Sequence, residues 1–260
     1  MMLLAIDIGN TEITLGLFLG DRLGASWRAT TTVSRTPDEW ASMLTSLLTN
    51  AGRSTDEVRA AVGASVAPSV TEALADGVAL ATGQKLVTVG PSSPLPIVLD
   101  VEEPLTVGAD RVVNTLAAAE LYGRDTIVVD FGTATTFDCI TGDGHFLGGV
   151  IAPGLQAAAD NLSRLVAKLP STELRPPDHV IGRRTEECIR AGVLFGTAEL
   201  VDGIVRRIKS EWPGGNTPLV VATGGLVLKV ADLCSEVEQV EPHLTLLGLR
   251  LAAQHLGMKW

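Results

Sequence analysis

Cysteine is scarce and badly spaced for any structural use. Cys139, Cys188 and Cys234 are odd in number, lie far apart and form no Cys-x-x-Cys pair, which argues against a disulfide framework or a zinc site and leaves buried thiols as the default. Histidine is equally sparse: His145, His179, His243 and His255 show no metal-ligand spacing and read as surface or packing residues. No apolar run approaches the roughly 18 residues of a membrane span, and Met1-Met2-Leu3-Leu4-Ala5-Ile6 meets Asp7 too early for a signal peptide, so a cytoplasmic location is expected. Positive charge is also short: 20 Lys and Arg stand against 30 Asp and Glu, a net charge of −10. Such a chain is poorly suited to nucleic acid or a membrane surface, and the pairs Arg183-Arg184 and Arg206-Arg207 are too short to change that. With no low-complexity tract, 46% hydrophobic residues and 19% charged ones, the chain is globular, long enough for one large domain or two modest ones.

What is present is organised around Ile127 to Ile140, which reads as a strand, a tight turn and a returning strand. Ile127, Val128 and Val129 suit a buried strand, Gly132 permits the turn, and Thr133, Thr135 and Thr136 supply hydroxyls and amides beside it. Asp130 stands at the strand's end, where a carboxylate either caps the turn or holds a cation beside a polyphosphate. The arrangement occurs twice. Leu3 to Thr11 again gives an apolar run, then Asp7, Ile8, Gly9, Asn10 and Thr11, followed by Ile13, Leu15, Leu17 and Leu19 at period two. One Asp-x-Gly in each half implies two similar lobes facing each other, expected over residues 1–115 and 116–260. A third glycine turn, Thr223-Gly224-Gly225, follows the apolar run Pro218 to Val221 and suits a close approach to nucleotide phosphate.

Between these turns the elements alternate as in an α/β protein. Thr36 caps a helix with Pro37, Asp38 and Glu39 in its first turn and an apolar stripe of Trp40, Leu44, Leu47 and Leu48. A strand at Arg59 to Ser65, a helix at Pro68 to Ala81 and a strand at Lys85 to Val89 follow. Proline-rich loops then lead to Gly108-Ala109-Asp110-Arg111, where a helix opens and Asp110 is a first-turn carboxylate. Asp143-Gly144 signals a hairpin, Ile151 to Gly154 a loop opening a helix from Leu155 to Ala167, and Thr185 the start, or the N-cap, of a long helix.

These motifs, in order and over nearly the full length, resemble the type III pantothenate kinases, members of the superfamily of acetate and sugar kinases, actin and the Hsp70 ATPase domain. The resemblance rests on Asp7 to Thr11, Gly108-Ala109-Asp110-Arg111, Asp130 to Thr136, Gly148 to Gly154, Gly182 to Thr185 and Thr223-Gly224-Gly225. It implies an α/β fold of two duplicated actin-like (ribonuclease H-like) lobes with an ATP cleft between them, and transfer of the γ-phosphoryl of ATP to pantothenate in coenzyme A synthesis. Carried onto this chain, Asp110 is the catalytic base, and Gly108, Ala109, Arg111, Thr185 and Val101 contact substrate. Asp7, Ile8, Gly9, Asn10, Thr11, Thr133, Gly224 and Gly225 contact ATP; Asp7 positions Mg²⁺, directly or through water; Asp130 holds a monovalent cation, K⁺ or NH₄⁺. A homodimer whose partner completes the substrate pocket is implied as well. The chain departs from the family pattern at Val101-Glu102-Glu103-Pro104, where relatives have a tyrosine and an Asn-Pro. Two other readings stay open: a kinase of the same superfamily acting on another small substrate, and a catalytically silent regulatory or binding protein.

Overall fold

The strand β1 (Met2–Ile8) is buried on both faces, and helices from distant parts of the sequence do the burying. Met2, Leu4, Ile6 and Ile8 meet Trp40, Leu44 and Leu48 of α1 (Pro37–Asn50) and Leu74 and Val78 of α2 (Pro68–Thr82). Leu3 and Ala5, on the opposite face, meet Val113 and Leu116 of α3 (Ala109–Tyr122) and Leu246 and Leu249 of the C-terminal helix α7 (Leu244–His255). Each buried Met, Leu or Ile of the strand contributes about 1.5–3 kcal/mol, so this strand is the anchor of its unit. The sheet around it runs β3 (Arg22–Thr30), β2 (Glu12–Leu19), β1, β4 (Val58–Ser65), β5 (Leu86–Val89), with β1 antiparallel to β2 and parallel to β4. A two-residue strand, β6 (Val98–Leu99), follows β5. Thr36 caps α1 as the sequence leads one to expect: its side chain accepts from the Glu39 amide, and the Glu39 carboxylate accepts from the Thr36 amide at 2.8 Å.

The computed structural model describes residues 1–166 and 168–260, in two units. The first comprises Met1–Ala117 with Thr245–Trp260, and the second Ala118–Leu244. Residues 245–260 thus pack with the first unit, whereas the sequence groups them with the second half, because α7 covers the Leu3 and Ala5 face of β1. Arg250 ties α7 to the β2–β3 turn through Asp21 at 2.7 Å.

The second unit repeats the plan. Its strands lie in the order β9 (His145–Pro153), β8 (Ala134–Ile140), β7 (Thr126–Phe131), β10 (Leu219–Thr223), β11 (Gln239–Val240), again with the first strand antiparallel to the second and parallel to the fourth. Ile127, Val129 and Phe131 pack on Leu155 of α4 (Leu155–Leu165) and on Leu194, Val201 and Val205 of α5 (Thr185–Glu211). The short helix α6 (Val227–Val230) follows β10.

Four local expectations need correction. Residues 151–153 are strand, since β9 pairs with β8 as far as Pro153 opposite Ala134, and only Gly154 remains as the N-cap of α4. α4 ends at Leu165, and Ala167, the expected last residue, lies outside the described residues. α5 does start at Thr185, and only the alternative N-cap role falls, because Arg184 holds that place. Of the thiols only Cys234 is buried, and Cys188 is exposed.

Asp202 is a buried carboxylate on α5 that holds the turn after α6. It accepts from the Ser235 amide (2.8 Å) and hydroxyl and from the Glu236 amide (2.9 Å). Burial pushes its carboxyl up, but these bonds and the nearby Arg206 outweigh burial and hold it below the ordinary range. Its stabilisation is therefore present above the unfolded carboxyl's pKa of about 3.9 and is lost as pH falls through the depressed folded value. Asp202→Ala should cost on the order of 2–3 kcal/mol at pH 7 by urea denaturation. The gap to wild type should narrow as pH falls through that depressed value, and a gap that stays constant with pH would show the carboxylate charge to be irrelevant.

Candidate active site

In the first unit the site starts where β1 stops. Asp7 lies in register between Thr14 of β2 and Ala64 of β4 and is half-buried. The chain reverses at once: the Gly9 amide donates to the Glu12 carbonyl at 3.0 Å, leaving Asn10 and Thr11 exposed at the tip. Val66, following β4, donates its amide to the Ile8 carbonyl at 3.0 Å, which ties the two parallel strand ends together. Ser65, Val66, Thr71, Ser92, Gly108 and Ala109 line a groove of about 950 Å³ here, a size suited to small molecules, whose sites run from about 300 to 1,000 Å³. Thus Gly108 and Ala109 open onto the same groove as the residues that follow β4. Val101 is half-buried in the loop before them.

Asp110 stands in the first turn of α3 and its Oδ1 accepts from the Arg111 amide at 2.8 Å. Burial pushes its carboxyl above the ordinary Asp range, and the Arg111 amide and guanidinium only partly oppose that. A carboxyl at a helix start is ordinarily lowered by the helix dipole, so the net upward displacement marks this one as unlike a cap.

The second unit repeats the turn around Asp130. Asp130 lies in register between Thr136 of β8 and Thr223 of β10, and the Gly132 amide donates to the Ala134 carbonyl at 3.1 Å. Gly224 follows β10 at φ +100°, and a Cβ placed on it would stand 2.3 Å from Asp130 Oδ1. The glycine therefore both makes the turn and leaves room for the carboxylate. Gly154 does the same for the loop: a Cβ there would lie 2.1 Å from the Thr133 carbonyl oxygen. Asp130, Thr133, Gly224 and the adjoining Gly225 thus belong to one end of this sheet. Thr185 begins α5 and is exposed, and the Glu187 carboxylate, one turn into the helix, accepts from the Arg183 amide just before it (2.8 Å).

Two parts of the site carry no signal in the sequence. Thr31, buried behind the Gly9 loop, looks like any residue of the Thr30-Thr31-Thr32 run, and Ser65 and Thr71, whose hydroxyls sit 2.6 Å apart at the groove, look like ordinary strand and helix residues.

Against known proteins, the family model described as type III pantothenate kinase matches residues 3–207. The chain belongs to that family. A type III pantothenate kinase of Moorella thermoacetica is 43% identical over 250 residues, 96% of this chain and 98% of its own. The type III pantothenate kinase 1 of Symbiobacterium thermophilum is 45% identical over 96% of this chain and 95% of its own. Among solved structures, the ROK hexokinase of Thermus thermophilus shares the fold at TM-score 0.52 and 15% identity, with all of both chains covered. This type III pantothenate kinase is accordingly an enzyme of the phosphotransferase class with the duplicated actin-like fold.

Gly154→Ala tests the second loop. The new methyl collides with the Thr133 backbone, and kcat/KM for ATP should fall on the order of ten- to a hundredfold, as for a roughly 1 Å misplacement at a reacting site. Gly203→Ala, whose Cβ meets nothing within 4 Å, should leave the steady-state constants unchanged; equal losses in both variants would refute the role of the contact.

Proposed function

We propose that this enzyme transfers the γ-phosphoryl group of ATP to the primary hydroxyl of pantothenate, giving 4′-phosphopantothenate and ADP, the opening step of coenzyme A synthesis. The observation that carries the reading is the full-length identity of 43–45% to type III pantothenate kinases, joined to a half-buried, upward-shifted Asp110 at the head of α3 beside a small-molecule groove. Asp110 accepts the hydroxyl proton as the oxygen attacks the γ-phosphorus and the bridging bond to the β-phosphate breaks. Arg111 orients pantothenate, Gly108 and Ala109 line its groove, and Val101 and Thr185 complete the contacts. Thr185, exposed at the start of α5, suits a homodimer in which a second subunit closes the pocket. Asn10, Thr11 and Thr133 donate to phosphate oxygens, and the backbones of Ile8, Gly9, Gly224 and Gly225 flank the nucleotide. The location proposed is the cytoplasm.

The donor chemistry fits hard cations. Asp7 and Asp130 are oxygen donors near strand ends, and Gly224, lacking a Cβ, lets the chain pass close beside Asp130 Oδ1. Among the described residues no three His, Cys, Asp or Glu gather into a metal cage, which suits a Mg²⁺ carried largely on phosphates and held by one carboxylate, Asp7. When bound, Mg²⁺ neutralises charge on the phosphates. Asp130 would hold K⁺ or NH₄⁺.

ADP release should depend on pantothenate and run faster in K⁺ than in Na⁺ buffer. Asp110→Asn should lower kcat by about 10²- to 10⁴-fold, and a loss under about tenfold would count against the base. Because Asp110 is displaced upward, the acid limb of kcat/KM should lie above an ordinary carboxyl's pKa of about 3.9. Activity falls as pH drops through that limb, since the protonated carboxyl cannot accept a proton, and the limb should vanish in Asp110→Asn. No pantothenate-dependent release from folded protein would move the assignment to another small hydroxylated substrate.

A further inference from the structure

We infer that Thr31 is a positioning residue for the nucleotide phosphates, acting through the Gly9–Thr11 loop. It follows Thr30, the last residue of β3, which stands opposite Glu12 at the start of β2. Its side chain is turned away from solvent, the residue being only 7% exposed. Its hydroxyl donates to the Gly9 carbonyl at 2.7 Å and its amide to the Thr11 carbonyl at 2.9 Å, so one residue grips the loop on both sides of Asn10. A trans peptide sets its N–H opposite its C=O, and among the described residues no peptide is cis. Drawing the Gly9 carbonyl inward to Thr31 therefore turns the Asn10 amide outward, on the exposed side of the loop. A loop gripped in this way presents a fixed donor to an anion at no ordering cost on binding.

The second unit supplies an internal comparison. Pro153 ends β9 opposite Ala134, the start of β8, so Gly154 holds the position equivalent to Thr31. There the loop is braced by backbone contact with Thr133; in the first unit the same brace is made of hydrogen bonds. A hydroxyl at position 31 is thus a specific device rather than a general need of the fold.

The inference rests on the kinase reading, and two readouts separate their fates. ATP and pantothenate KM, kcat and the calorimetric Kd of Mg·ADP are measured for wild type, Thr31→Val, which keeps the shape and loses the hydroxyl, and Thr31→Ser, which keeps the hydroxyl. Thr31→Val should raise the ATP KM and the ADP Kd about three- to tenfold, the worth of one buried hydrogen bond. Pantothenate KM should stay within about twofold, and Thr31→Ser should lie within about twofold of wild type throughout. Should Thr31→Val fail to fold, Thr31→Ala carries the same expectation. Unchanged ADP affinity in a folded hydroxyl-free variant, or equal weakening of both substrates with a lowered Tm, would overturn the inference. If wild type fails to turn over pantothenate, the functional reading falls, while the ADP Kd still decides the role of Thr31.

Discussion

Everything at the two strand ends depends on one requirement: a carboxylate set in the middle of a sheet must be followed immediately by a reversal of the chain. Asp7 lies between Thr14 and Ala64, and Asp130 between Thr136 and Thr223. Removing a carboxylate from water is costly unless polar partners are held in place for it. The short bonds from Gly9 to Glu12 and from Gly132 to Ala134 bring the returning strand back at once, so each carboxylate emerges at the strand end beside a loop rather than deep within the sheet. The helices then follow from the apolar faces of the same strands, since β1 and β7 can stay central only if Trp40, Val113 and Leu246 in one unit, and Leu194 and Val201 in the other, cover them.

The duplicated turns solve the same problem with different chemistry. In the first unit directional hydrogen bonds from Thr31 hold the loop. In the second, Gly154 and Gly224 let backbone and carboxylate approach more closely than any side chain would allow. The two solutions have different tolerances. A hydrogen-bonded brace yields gradually, by the worth of a bond, whereas a packed glycine admits no larger residue without moving the loop.

Much of this was legible in the sequence, because its signals are local. Asp-x-Gly after an apolar run marks both turns, and Thr36, Pro37 and Glu39 mark the capped start of α1. What escaped depends on contacts between distant residues. Thr31 acquires its role only once β3 registers against β2. Gly148 and Gly149 look like the end of a strand, yet β9 runs on through them because β8 offers partners as far as Ala134. The apolar pattern of residues 244–255 announces a helix without saying which sheet it covers, and the Leu3 and Ala5 face of β1 decides that.

Asp110 shows how position and environment combine to set a chemical role. At the head of α3 the helix dipole, the Arg111 amide and the Arg111 guanidinium all favour a charged carboxylate. Sequence alone therefore reads it equally well as a helix-start residue. Burial works in the opposite direction and wins, raising the carboxyl above its ordinary range. A carboxylate kept ionised only against a desolvation penalty has more to gain from accepting a proton than a solvated one. Arg111 opposes that displacement through its amide and its guanidinium without cancelling it.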